Sequence, residues 1–125
     1  MSASTPVQIT ADGQRNILRI TFAGNVTSAD LIQYRADSMK ALEALRPEFT
    51  LCVDLTDLVN MDFDCVPYIE QNMELVRDHG VKLVVRIIPD RTKDIGLSIM
   101  SLFHYRRGLK MLTVETRAEA EHLLA

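Results

Sequence analysis

The sequence predicts one α/β domain with a mainly parallel sheet, helices packed on it and an antiparallel hairpin at the N-terminus. Residues 7–23 alternate between apolar and polar around the Asp12-Gly13 turn, as a half-buried hairpin does. Residues 81–88 (VKLVVRII) are almost continuously aliphatic, which is typical of a buried parallel strand. Stretches with helical spacing separate the other predicted strands, so the expected order is β-β-α-β-α-β-α-β-α.

The first half of the chain is predicted to hold the hairpin, one helix and a central strand. Strands are expected over residues 7–12 and 17–23, and Gly24-Asn25 is expected to end the second. Residues 49–55 form an apolar run that predicts the central strand. Between them, Thr27 and Asp30 mark the start of a helix. The apolar face of that helix is expected to contain Leu31, Tyr34, Ser38, Leu42 and Leu45.

The second half is predicted to continue with helices between parallel strands. A helix with Val66, Ile69, Met73 and Val76 on its apolar face is expected to end at His79-Gly80. After the strand at residues 81–88, a helix is expected over residues 93–107 and a strand over residues 109–114. Residues 116–119 (Thr-Arg-Ala-Glu) form a capping box for a short C-terminal helix.

Size, composition and charge narrow the classes of function. The 125 residues fit one domain (1–125), in which residues 1–6 are expected to be flexible. A net charge of −3 gives no general reason to expect a nucleic-acid binder. No apolar run approaches the ~18 residues of a transmembrane helix, and no signal peptide is recognisable, so we expect a cytoplasmic protein with reduced Cys52 and Cys65. Neither cysteine lies in a zinc pattern, and motifs for phosphate binding or nucleophilic catalysis are lacking, so we expect no cofactor and no catalytic activity.

Four aspartates lie in residues 53–67 (VDLTDLVNMDFDCVP), where the central strand is expected to give way to a helix. Carboxylates at that edge of a parallel sheet would suit Mg²⁺, but residues 24–27 add no acid, and we expect no metal site. Helix capping is the other interpretation. Proline is tolerated in the first helical turn, so Pro67 favours Asp64, or a residue just after it, as the N-cap. Cys65 is a candidate reactive thiol at a helix N-terminus, or a small apolar residue packed under the loop.

The same stretch resembles the STAS domain, the fold of bacterial anti-sigma-factor antagonists. That family carries a strand ending in Asp-Leu/Phe-Ser/Thr, a short loop and a helix start of Asp-Ser-Ser-Gly-Leu. Residues 53–56 (Val-Asp-Leu-Thr) are similar to the strand end, and residues 58–62 are similar to the loop. Residues 63–66 (Phe-Asp-Cys-Val) stand where the family has Ser-Ser-Gly-Leu. The element order agrees over nearly the whole chain, whereas the motif agrees only at Asp54, Asp62 and the hydrophobic positions.

The resemblance implies a non-catalytic regulatory module that binds a protein partner, such as an anti-sigma factor or a kinase-like regulator, or that self-associates. In the antagonists a partner kinase phosphorylates the second serine of the motif, and Asp64 occupies that position here. Asp64 either fixes a phosphorylated-like state, or phospho-switching has been lost altogether. The expected contact surface lies between Thr56 and Val66 and comprises Thr56, Asp57, Asp62, Phe63, Asp64 and Cys65.

A divergent group of small bacterial SpoIIAA-like proteins is also similar, since it keeps this topology without the serine motif. Its fold is similar to the lipid-binding CRAL-TRIO domain, which implies the alternative of a carrier for a small apolar ligand or lipid. The predicted helix over residues 93–107 is apolar around much of its circumference. Such a helix is either buried on two sides or offers a surface to a ligand, a membrane or a second subunit. The candidate residues for that surface are Ile95, Ile99, Met100 and Phe103.

Overall fold

The computed structural model describes residues 6–88 and 110–124, which form five strands and three α-helices. Short 3₁₀ helices at Ser28–Leu31 and Phe63–Cys65 precede the first and second α-helix. The predicted helix over residues 93–107 lies outside the described residues. In chain order the elements are β1 (Val7–Asp12), β2 (Ile17–Val26), α1 (Tyr34–Leu42), β3 (Phe49–Met61), α2 (Val66–Asp78), β4 (Val81–Ile87), β5 (Lys110–Val114) and α3 (Arg117–Leu124).

The strands form one mixed sheet in the order β1-β2-β3-β4-β5. β1 and β2 pair antiparallel, and each later neighbour pair is parallel, so the predicted hairpin and parallel sheet are confirmed. The carbonyl oxygen of Pro6 accepts a hydrogen bond from the Ala23 N–H at 2.9 Å. This hydrogen bond joins residue 6 to β2, while residues 1–5 lie outside the described residues.

Helices cover both faces of the sheet. α1 and α2 pack side by side on one face and bury the main core. α3 crosses the other face, where Ala120 closes a smaller apolar cluster. The core positions predicted for the first two helices are buried as expected at Leu31, Tyr34, Ser38, Leu42, Ile69 and Val76.

Two strands are longer than predicted. β2 does not end at Gly24 but continues to Val26, and β3 does not end at Leu55 but continues to Met61. The segment expected as a loop from residue 56 onward is thus mostly strand. The reason is a pair of β-bulges, each of which adds one residue to β3. Buried residues consequently recur every third position instead of every second, at Leu55, Leu58 and Met61.

Candidate functional site

The C-terminal end of β3 extends beyond β4, its neighbour on one side. Pairing with β4 stops where Asp54 lies opposite Ile87, whereas pairing with β2 continues to Met61. Among the described strands, residues 55–61 therefore have a partner only in β2, and we call them the overhang. Leu58 and Met61 anchor the overhang in the core, while the side chain of Val59 is 62% exposed.

The overhang leads into the short 3₁₀ helix that precedes α2. Its entry is fixed by a hydrogen bond from the Asp62 N–H to the carbonyl oxygen of Val26 at 2.9 Å. Cys65 is buried beneath the turn, with its Sγ 3.6 Å from the same carbonyl oxygen. Phe63 consequently projects outward and is 70% exposed. We give the name edge surface to four exposed side chains of this region, those of Val59, Asp62, Phe63 and Asp64.

The N-cap of α2 is Cys65, and Pro67 is the second residue of the helix. The position of the proline in the first turn is as expected, but the cap is the residue after Asp64. Asp64 lies inside the 3₁₀ turn, exposed to solvent, and its side chain makes no hydrogen bond or ion pair with another described residue. Asp64 therefore makes no capping hydrogen bond at the start of α2.

Of the two interpretations of Cys65, burial favours the small apolar residue over the reactive thiol. Burial, together with the nearby carboxylates of Asp62 and Asp30, raises the pKa of the Cys65 thiol to about 11. The thiol is thus protonated at neutral pH and shielded from solvent. Its position beneath the turn fits the other interpretation, a small apolar residue that packs under this segment.

The first residue of α3 is joined to β3 by two charged hydrogen bonds. Arg117 Nε donates to Asp54 Oδ2 at 2.7 Å, and Arg117 Nη2 donates to Asp57 Oδ2 at 2.8 Å. The other carboxylate oxygen of Asp54 accepts from the backbone N–H and the hydroxyl of Thr56. Burial alone would raise the pKa of Asp54, but the hydrogen bonds from Thr56 and Arg117 outweigh it and hold that pKa below its ordinary value.

The structure separates the six residues predicted for the contact surface into two groups. Thr56 and Asp57 are engaged with Asp54 and Arg117, and Cys65 is buried. The remaining three are exposed and have no side-chain partner among the described residues; they are Asp62, Phe63 and Asp64. The residues proposed for a ligand or dimer surface lie outside the described part; they are Ile95, Ile99, Met100 and Phe103.

Sequence reasoning included Val59 in the expected contact segment from Thr56 to Val66 but did not single it out, because that part was interpreted as a loop. It did not identify Arg117. Arg117 had a detectable signal, since a positive charge on the first residue of a helix opposes the helix dipole and suggests an acidic partner elsewhere.

Two further properties hold for the described part of the chain. No group of three or more His, Cys, Asp or Glu side chains there is arranged to hold a metal ion. Likewise, none of its helices is both long and apolar enough to cross a membrane.

Comparison with known proteins identifies solved structures that have the same fold. No protein-family model matches the sequence, and no curated protein matches it. An uncharacterized protein of the DUF3478 family from Shewanella loihica PV-4, described as having a SpoIIAA-like fold, matches with a TM-score of 0.66 and 18% identity over 100% of this chain and 99% of its own. The anti-sigma factor antagonist SpoIIAA in its unphosphorylated form matches with a TM-score of 0.64 and 18% identity over 94% of this chain and 96% of its own.

This chain has a SpoIIAA-like fold. The predicted STAS-like topology, a single α/β domain with a mixed five-stranded sheet, is thereby confirmed. An identity of 18% establishes the fold, and the function has to be argued from the side chains at the edge surface.

Proposed function

We propose that this protein is a non-catalytic, cytoplasmic regulatory module that binds a protein partner through the edge surface. The observation that carries the proposal is the exposure of Phe63 and Val59, at 70% and 62%, on a segment that the buried side chains of Leu58, Met61 and Cys65 anchor in the core. Large exposed apolar side chains grouped at one edge are typical of interaction sites. Among the described residues, Phe63 belongs to neither hydrophobic core cluster.

The polar side chains of the edge surface support a protein partner over an apolar ligand. Asp62 and Asp64 flank Phe63 on both sides, and all three are exposed. An apolar anchor between charged residues matches the usual anatomy of an interface, with an apolar centre and a polar rim. An anti-sigma factor antagonist has the same fold, and by this fold-level analogy we propose that the partner is a regulatory protein.

The position of Asp64 bears on how such a module would be regulated. By the resemblance to the STAS motif, Asp64 occupies the place of the phosphorylated serine, and an aspartate carries no hydroxyl to phosphorylate. Its carboxylate gives the edge surface a permanent negative charge, which is smaller than that of a phosphate. We therefore propose that the surface is constitutively presented and is not switched by a kinase at this position.

Photo-crosslinking from Phe63 tests the proposal. Phe63 is replaced by p-benzoylphenylalanine, which preserves an aromatic side chain, and the protein is irradiated in the cells that produce it naturally. We expect a discrete protein adduct whose yield falls when Asp62 or Asp64 is changed to Ala. The matched control carries the crosslinker at Leu123, which is 41% exposed on α3, and is expected to give no such adduct.

The same experiment can contradict the proposal. No adduct from position 63, or identical adducts from positions 63 and 123, would show that the edge surface is not a specific binding site. Once the partner is purified, Asp64→Ser and Asp64→Ala test the charge. If neither changes the affinity, Asp64 does not act as a phosphorylated-state mimic.

A carrier of a small apolar ligand or lipid remains the alternative, and so does self-association. The carrier would depend on Ile95, Ile99, Met100 and Phe103, outside the described residues. The described part does contain an apolar surface groove of about 420 Å³ between β5 and α3, but other side chains line it, namely Val114, Ala118, Glu119, His122 and Leu123. Lipid that copurifies with the protein, identified by mass spectrometry, would favour the carrier.

A further inference from the structure

α3 is held on the sheet by polar contacts at both of its ends. At its first residue Arg117 reaches Asp54 and Asp57. Further along α3, Glu121 Oε1 lies 2.7 Å from Arg19 Nη1, and the carbonyl oxygen of Leu124 accepts a hydrogen bond from Arg15 at 3.0 Å. Only Ala120 of this helix is fully buried. The position of α3 therefore depends on charged contacts as well as on the packing of Ala120 and Leu124 against the sheet.

Arg117 is the only one of these contacts that reaches the overhang. Asp54 is the last residue of β3 that pairs with β4, and Asp57 lies within the overhang. The guanidinium of Arg117 thus connects the part of β3 that pairs with β4 to the overhang. It does so along the strand edge where the overhang has no neighbouring strand among the described elements.

Helix stability does not account for an arginine at this position. The start of α3 is already satisfied by Thr116 and Glu119, since the Glu119 N–H donates to Thr116 Oγ1 at 3.1 Å and the Thr116 hydroxyl donates to Glu119 Oε1. A positive charge on the first helical residue opposes the helix dipole and costs some helix stability. The ion pairs with Asp54 and Asp57 explain an arginine at this position.

We propose that Arg117 is a positioning residue for the edge surface: it fastens the overhang to α3, so that docking of α3 and partner binding at Val59 and Phe63 stabilise each other. The coupling between docking of α3 and partner binding rests on the proposed function, because it describes how the same surface is regulated. A fastened overhang presents Val59 and the following turn in one conformation, which lowers the ordering cost of binding. By reciprocity, a partner bound there would hold α3 down, and displacement of α3 would weaken partner binding.

Hydrogen exchange measured by mass spectrometry tests the fastening without any partner. For Arg117→Gln we expect exchange of the amides in residues 55–61 to rise by about 5- to 30-fold, as the loss of one charged hydrogen-bonded contact predicts. Exchange in β1 is expected to stay unchanged. Asp57→Asn, which removes only the exposed half of the contact, is expected to give a smaller rise in the same peptides.

Arg15→Gln is the matched control, since it releases the opposite end of α3 and leaves the overhang contact intact. It is expected to raise exchange in α3 but not in residues 55–61. Unchanged exchange in residues 55–61 of Arg117→Gln would overturn the proposal. A uniform rise over β1, β4 and the overhang would also overturn it, because that result indicates a general loss of stability.

The crosslinker at position 63 then separates the two halves of the argument. We expect the adduct yield to fall in the Arg117→Gln background and to persist in the Arg15→Gln background. If exchange rises but the yield persists, the overhang is fastened but does not control binding. If exchange rises and the parent protein gives no adduct, the proposed function fails while the role of Arg117 as a fastener stands.

Discussion

Asp54 and Asp57 bind the same guanidinium, although residues three apart on a regular strand point to opposite faces of its sheet. The first bulge in β3 explains how both side chains reach one guanidinium. Asp54 and Asp57 lie opposite Thr21 and Ala23, which are only two residues apart, so β3 contains one extra residue between them. The extra residue turns Asp57 to the face that α3 covers. A local irregularity in the strand thus creates the contact that joins the C-terminal helix to the candidate surface.

The charged contact of Asp54 predicts a pH-dependent stability. Asp54→Asn should lower the free energy of unfolding by about 1.5–3 kcal/mol at pH 7, because it removes a charged hydrogen-bond acceptor whose side chain is only 14% exposed. The pKa of Asp54 is lowered in the folded protein, so its contribution is present above the unfolded value of about 3.9. That contribution is lost as the pH falls through the folded-state pKa. The difference between wild type and variant should therefore shrink between pH 5 and pH 2.

Urea unfolding at pH 7, 5, 3 and 2 measures this difference. Asp37→Asn is a suitable control because Asp37 is exposed on α1 and has no ion pair with a described residue. It should change stability by less than about 0.5 kcal/mol at pH 7. A difference for Asp54→Asn that is the same at pH 7 and pH 2 would contradict the assignment.

Both cysteines should resist alkylation in the folded protein. Burial raises the pKa of the Cys52 thiol and of the Cys65 thiol to about 11, so the reactive thiolate is scarce at pH 8 and hidden from the reagent. Iodoacetamide at pH 8 should leave both unmodified while it labels the same protein in urea, as followed by mass spectrometry. Val59→Cys supplies an exposed thiol for comparison. Native labelling of Cys65 at the rate of that control would show that the turn opens readily.

The main features of the fold could be predicted because they follow from regular periodicity. The strand at residues 7–12 and the buried faces of α1 and α2 obey the period of two or 3.6 that packing against one surface requires, and β4 is marked by a continuous aliphatic run. The capping box at Thr116 is a local signal and was confirmed for the same reason. Each of these features depends on residues that are close in sequence.

The candidate site could be predicted only in part, because irregular pairing creates it. Leu55, Leu58 and Met61 are spaced by three, which does not match the period of a regular strand, and residues 58–62 were interpreted as a loop from the resemblance to the STAS motif. The bulges that produce this spacing depend on how β2 lies against β3, which is a tertiary property. The contact between Arg117 and Asp54 spans 63 residues of sequence and left no local pattern beyond the unfavourable charge at the helix start.

Gly24 should be required for the conformation of the second bulge. Gly24 lies opposite Leu58 with φ at +68°, a region that side chains other than those of Gly, Asn and Asp disfavour. A Cβ atom at this position would meet nothing within 4 Å, so steric contact adds no cost. Gly24→Ala should therefore lower the free energy of unfolding by about 1–2 kcal/mol through backbone strain alone. Gly24→Asn should cost less, and equal losses for the two variants in urea unfolding would argue against this conformation.

Phe63 should be dispensable for folding, in contrast to its neighbour Leu58. Phe63→Ser removes a side chain that is 70% exposed, so the free energy of unfolding should change by less than about 0.5 kcal/mol. Leu58→Ala empties a fully buried position on the overhang and should cost about 2–5 kcal/mol. Urea unfolding compares the two variants directly. If Phe63→Ser costs as much as Leu58→Ala, Phe63 belongs to the core; a change below about 0.5 kcal/mol leaves its side chain available for the contact proposed at the edge surface.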